Sequence, residues 1–297
     1  MDSPIFQKNP LDTTGTNNTP RISPIPIISP LRVMLMGATG SGKTYSLKSL
    51  SSLGLETFVL FTEPGQEVLA HTDPNLIHWH YIPPECQSWE DMKNSASMIN
   101  RLTFKSLTEM QDLNKAKHSE FLKVITTCMD FVDDRTGKSY GCIDAFDSSK
   151  VFVIDSLSGL NIMAMNLVVG SKPVRAKGDW GVAMDNLERF LIRLTTSLQC
   201  HFVLTAHLER EIDEGTGGTT LMASTLGRKL APRLSRFFSD VIMPVRMGKN
   251  FSWSTAAMNV DLKAQHLPIS DNLPPNFSEL LRTWKLAEIA CGPNKPI

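Results

Sequence analysis

Eight consecutive residues, Gly37-Ala38-Thr39-Gly40-Ser41-Gly42-Lys43-Thr44, have the spacing G-x4-G-K-[ST]. Glycines at these positions let successive backbone N–H groups curl around a chain of phosphates. A lysine in the seventh place reaches the β- and γ-phosphate oxygens, and the threonine hydroxyl takes one position on Mg2+. The expected ligands are therefore ATP and Mg2+, held by Gly37 to Thr44 with Tyr45 directly behind. The metal's water shell needs a further carboxylate, and Asp155 supplies one at the end of the apolar run Val151-Phe152-Val153-Ile154. Read alone, Asp155 could equally cap the helix after it. The next residue is Ser156, so a carboxylate to activate water must come from elsewhere. Glu63, in Phe61-Thr62-Glu63-Pro64-Gly65, is the candidate, against the plainer reading of a solvated turn acid. His207 ends another apolar run, where an imidazole can either sense the γ-phosphate or serve structure alone.

These residues act together only if a sheet brings them together. Arg32–Met36 is a short apolar run ending at Gly37, as a buried strand requires. The pattern predicts a helix over 43–52 and strands over 57–62, 76–82, 151–154, 201–205, 241–245 and 256–262. Leu187, Phe190, Leu191, Leu194 and Leu198 mark one helix face. Alternating strands and helices imply an α/β fold with a mostly parallel sheet and helices on both faces. In such a sheet the strand C-termini share one crevice, which directs Glu63, Asp155 and His207 at the phosphate loop. Residues 1–30 contain Pro4, Pro10, Pro20, Pro24, Pro26 and Pro30 and read as a tail. The ATPase domain is expected over 31–273, with a helical insertion at about 88–150, and a C-terminal helix and tail over 274–297.

The chain resembles the RecA-like P-loop ATPases, and more closely the phage-encoded RecA-fold nucleotide-binding proteins of the single-strand-annealing and recombination type. The resemblance spans Leu31 to Leu273. It rests on Gly37–Thr44, the Phe61-Thr62-Glu63-Pro64 strand end, Val151–Ser156, Thr205-Ala206-His207-Leu208 and Leu226–Pro232. It implies that Glu63 is the catalytic base and that the protein assembles with itself as a ring or filament. It also implies single-stranded DNA as a partner, with a single-strand-binding protein as a further one. Two mobile DNA loops fall on Val169–Gly181 and Glu209–Leu226. A group from the next subunit is expected to complete the γ-phosphate site, with Arg228, Lys229 and Arg246 as candidates. Host-cell cytoplasm is the implied location.

The residues lend these expectations uneven support. Lys172, Arg175, Lys177 and Trp180 combine cations with a stacking platform, as single-strand binding uses, and equally suit a solvated turn. Between Leu221 and Asn250 six cations face the single acid Asp240. Yet 30 Lys and Arg balance 30 Asp and Glu overall, which excludes whole-surface attraction to nucleic acid. Five cysteines without a C-x-x-C pair argue against disulfides and structural zinc. His78 and His80 share a strand face, but no carboxylate or thiol is expected to join them, so no metal is expected there. The segment Asp261–Pro268 lacks the arginine that related phage proteins carry near Gln265, which speaks against a trans contact there. No apolar run approaches the ~18 residues of a membrane span. A packaging or remodelling motor and a nucleotide-gated scaffold are the rival functions; Ser156 speaks against the first and Glu63 against the second.

Overall fold

The structure, a computed structural model, describes residues 29–85, 88–110, 118–170, 172–212, 217–227 and 229–291. The proline-rich tail, Cys86 and Arg228 therefore lie outside the described residues, apart from Ser29 and Pro30. The chain opens with β1 (Arg32–Met36), followed by the phosphate loop, α1 (Lys43–Ser46) and α2 (Lys48–Ser52). Then come β2 (Glu56–Phe61), a 3-10 turn over Gln66–Leu69 and β3 (Ile77–Tyr81). Next come α3 (Trp89–Arg101), α4 (Phe104–Glu109) and α5 (Glu120–Met129). After them run β4 (Lys150–Asp155), α6 (Leu157–Val169), α7 (Lys177–Ser197) and β5 (His201–Ala206). The last part comprises β6 (Leu208–Ile212), β7 (Thr219–Ala223), α8 (Ala231–Leu234), β8 (Asp240–Met247), β9 (Asn250–Ser254) and α9 (Ser278–Cys291).

Seven strands form one sheet in the order β3-β2-β4-β5-β1-β8-β9. All neighbours pair in parallel except β8 with β9, so the fold is the α/β class expected of a P-loop NTPase. Strand alternation divides the core. Met34 and Met36 of β1 face one side with Leu187, Leu191 and Leu194 of α7. Val33 and Leu35 face the other with Leu47 and Leu50, and with Phe277, Leu280, Leu281 and Trp284 around α9. Burial on both faces explains why the central strands read as unbroken apolar runs.

Four expectations are corrected. No strand runs over 256–262: Asn259 takes φ 57, which strand geometry does not admit, and β9 instead returns along β8 after the turn at Gly248. The segment Val169–Gly181 is not all loop, because α7 starts at Lys177. The Asp179 carboxylate accepts the Ala176 N–H at 2.7 Å and fixes that start, which puts Trp180 in the first helical turn. The segment Glu209–Leu226 lies largely in an antiparallel hairpin, β6 with β7, whose tip at 213–216 is outside the described residues. The helix expected over 43–52 is interrupted at Leu47.

Candidate functional site

The phosphate loop springs from β1 between two neighbours. The Gly37 N–H donates to Ala206 O of β5 at 3.0 Å. On the other flank a Cβ on Gly37 would stand 2.9 Å from Pro244 O of β8, so no larger residue fits there. Gly42 has φ 91, a left-handed value that glycine adopts without strain, and it turns the loop into α1. Lys43 is buried, and its Nζ donates to Gly37 O at 2.8 Å and Ala38 O at 3.0 Å. Burial pulls its pKa down, opposed by the charges of Asp155 and Glu63.

Asp155 closes β4 beside the loop. It accepts from Thr44 Oγ1 at 2.6 Å on Oδ2 and from Thr205 on Oδ1. Burial pushes this carboxyl above the usual carboxylate range; the two hydroxyls and the Lys43 charge oppose that shift. A hydroxyl and a carboxylate in contact, next to an ammonium, suit Mg2+ with a phosphate chain. Ser41 Oγ, buried in the loop with no hydrogen-bond partner among the described residues, is a further polar group suited to a phosphate oxygen.

Glu63 stands just past β2, the strand that pairs with β4. Its Oε2 accepts from Ser156 Oγ at 2.7 Å and lies 3.5 Å from His207 Nε2. The other His207 nitrogen is 3.4 Å from Thr39 Oγ1 in the phosphate loop. One chain of contacts thus joins loop, imidazole and carboxylate. Thr62 anchors it beneath: its hydroxyl donates to Ser156 O at 2.6 Å and accepts the Ser156 N–H at 3.0 Å. Thr39 to Tyr45, Glu63, Asp155 and His207 all line one cleft of about 630 Å3.

The other singled-out residues fall elsewhere. Lys172 is paired with Asp179 at 3.3 Å, and the Arg175 guanidinium lies 5.6 Å from the Trp180 ring. Trp180, 41% exposed, borders a second groove of about 560 Å3 with Asn161, Arg210 and Met222. Lys177 and Lys229 are exposed. Arg246 reaches its own phosphate loop: its Nη1 is 3.7 Å from where a Cβ on Gly40 would sit. His78 does have carboxylates beside it, Glu56 at 3.2 Å and Asp133 at 3.6 Å, and His80 has Asp134 at 2.8 Å. These pairings come from strand register and the turn that holds Asp133 and Asp134, which sequence neighbourhood does not reveal.

Sequence reasoning missed Thr205 as a partner of Asp155, and Ser156 and Thr62 as supports of Glu63. The signal was available for Thr205, a polar residue ending an apolar strand. It also missed Phe251, which lines the same cleft from β9. Among the described residues no helix is long and apolar enough to cross a membrane. Comparison with curated proteins finds none that matches. A family model described as an AAA domain matches residues 29–259, a span that takes in the phosphate loop, Glu63, Asp155 and His207, and the chain belongs to that family of P-loop nucleotide-binding domains.

Proposed function

We propose that the protein is a Mg2+-dependent ATPase that assembles on single-stranded DNA, serving recombination, annealing or replication of a phage genome. The observation that carries the hydrolytic part is the position of Glu63. It faces the same cleft as Lys43 and Asp155 and is oriented by Ser156 and His207. In that role Glu63 accepts a proton from the attacking water as the oxygen–γ-phosphorus bond forms, and Lys43 offsets charge on the departing β-phosphate oxygens. Thr44 and Asp155 would hold Mg2+, which would offset negative charge on the phosphate chain. His207 then reads γ-phosphate occupancy through Thr39 and Glu63.

Support for the DNA part comes from the chain immediately after His207. The β6–β7 hairpin starts at the next residue, and the Ser224 N–H at its far end donates to His207 O at 2.8 Å. Asn161 Nδ2 donates to Ser224 O at 3.0 Å, which ties the hairpin to the groove that Trp180 borders. A change at His207 is thereby passed to that groove, as a two-state switch requires. Trp180 offers a stacking face, while Arg175 and Lys177 offer charge; Lys172 contributes less because Asp179 neutralises it. Self-assembly belongs to the same proposal. Lys229 is its candidate trans group, whereas Arg246, set against its own loop, fits a role within one subunit.

Anisotropy of labelled single- and double-stranded oligonucleotides, with and without ATP, tests the reading. Preference for single strands that strengthens with ATP and weakens in Arg175→Ala/Lys177→Ala/Trp180→Ala is expected. No binding to either form at low salt would leave an ATPase with a protein partner.

A further inference from the structure

We propose that the β8–β9 hairpin completes the phosphate-loop cleft as a nucleoside clamp, which holds a purine by its faces without reading its edge. Adenine and guanine triphosphates then bind with little distinction. The proposal rests on the nucleotide-binding reading of the cleft and adds to it the class of base the site takes.

The clamp is built from Phe251 and Arg246. The Phe251 ring comes within 3.0 Å of the point where a Cβ on Gly42 would stand, so the ring lies against the loop that cradles the phosphates. Its position is braced from its own hairpin. The Arg246 guanidinium lies 5.4 Å from the ring, and Arg246 Nε donates to Gly248 O at 3.0 Å. Phe251 nevertheless keeps 42% of its surface exposed, and Tyr45 and Val68 in the same cleft keep 66% and 37%. Large apolar groups left open to water around one cleft gain free energy when a planar ring covers them.

The polar lining explains the missing discrimination. Among the described residues, every polar side chain of the cleft and its clamp other than Arg246 belongs either to the phosphate loop and the start of α1 or to the group of Glu63, Asp155 and His207, and Arg246 is held against the Phe251 ring with its Nε on Gly248 O. Among the described lining residues none carries an amide, and the nearby Gln66 spends its side-chain oxygen on the Gly65 N–H at 3.0 Å. A protein tells adenine from guanine by hydrogen-bonding groups matched to the base edge, because stacking tolerates either purine. Purines still exceed pyrimidines, because the larger face covers more of the apolar lining.

The test is competition of ATP, GTP, CTP and inorganic tripolyphosphate against a fluorescent nucleoside triphosphate, with Mg2+ and the full chain. ATP and GTP should agree within about threefold, and CTP should fall about tenfold behind. Phe251→Ala should weaken ATP and GTP alike by about tenfold, the scale of one lost stacking contact, and leave tripolyphosphate unchanged. Phe251→Tyr, which restores the ring, should recover both. A preference above about tenfold for one purine overturns the proposal. So does a Phe251→Ala loss that is as large for tripolyphosphate as for ATP, which would assign Phe251 to the phosphate loop. Failure of every triphosphate to bind would instead sink the nucleotide-binding reading beneath it. The wild-type series stands by itself if a variant proves unfolded by circular dichroism.

Discussion

The Thr44 hydroxyl donates to Asp155 Oδ2 across 2.6 Å, joining the first turn after the phosphate loop to the end of a strand 111 residues later. Sheet order makes this possible: β5 lies between β1 and β4, and its Thr205 holds the other oxygen of the same carboxylate. Each hydroxyl offsets part of what burial costs the charged carboxylate. Thr44→Ala removes one of them and also the expected metal ligand. Nucleotide affinity measured against Mg2+ concentration should then weaken by about 10–100-fold at limiting metal. An unchanged metal dependence would dismiss the pair as a cation site.

Glu63 gives the second expectation. Glu63→Gln keeps a hydrogen-bonding group opposite Ser156 Oγ and His207 but cannot accept a proton. Phosphate release should fall by about 10^2–10^4, with ATP still bound. Ser156→Ala leaves the carboxylate and removes only its orienting hydroxyl. Its effect should be smaller and should appear in kcat with KM nearly unchanged. Equal turnover in Glu63→Gln and wild type would remove Glu63 as the base.

The range of each interaction decided whether the sequence made it legible. The phosphate loop was readable because eight adjacent residues carry it, and β1, β2, β4 and β5 because strands buried on both faces are continuous apolar runs. Their convergence was readable too, since a parallel sheet with helical crossovers has one crevice. Register was not. The pairing of β1 with β8 sets Arg246 against its own loop, and the register of β2, β3 and β4 gathers Glu56, Lys150 and His78. Trp180 passed for a loop residue because Gly and Pro punctuate its neighbourhood, while the Asp179 contact that starts the helix is visible only in three dimensions. Asn259 misled in the opposite direction: apolar alternation around it suggested a strand that its backbone cannot join.

Gly159 supplies a stability test close to the site. A Cβ there would stand 2.4 Å from Thr62 Oγ1 and 2.5 Å from Thr62 O, atoms that cannot both withdraw. The displaced residue is the one that holds the Ser156 backbone beneath Glu63. Gly159→Ala should destabilise by about 1–3 kcal/mol in urea unfolding. It should also lower turnover more than ATP affinity, because the loop side of the cleft is untouched. Wild-type stability in this variant would mean that α6 and β2 pack less closely than they stand.

The remaining prediction concerns acid, and it turns on His201 at the start of β5. Its Nδ1 accepts the Leu31 N–H at 3.0 Å, and the residue is buried. The ring meets Trp284 of α9 edge-on at 4.5 Å between centroids, and Trp284 Nε1 donates to Ser29 O at 3.1 Å. Burial, with help from the Arg32 charge, pulls the imidazole pKa down to about 4. Protonation at Nδ1 would replace the acceptor of Leu31 by a second donor. An unfolded chain takes up this proton near pH 6.5, the ordinary histidine value, while the folded one refuses it until about pH 4. The unfolded state therefore binds more protons inside that window. Stability is at its full value above pH 6.5 and falls as the pH drops towards 4, by about 3 kcal/mol in all from this one group. His201→Asn keeps an oxygen for the Leu31 N–H and removes the titration. Its stability at pH 8 should be lower because volume is lost, but its decline between pH 6.5 and 4 should be shallower than that of wild type. Urea unfolding at pH 4.5, 5.5, 6.5 and 8 measures both slopes, and equal slopes would clear His201 of the acid sensitivity.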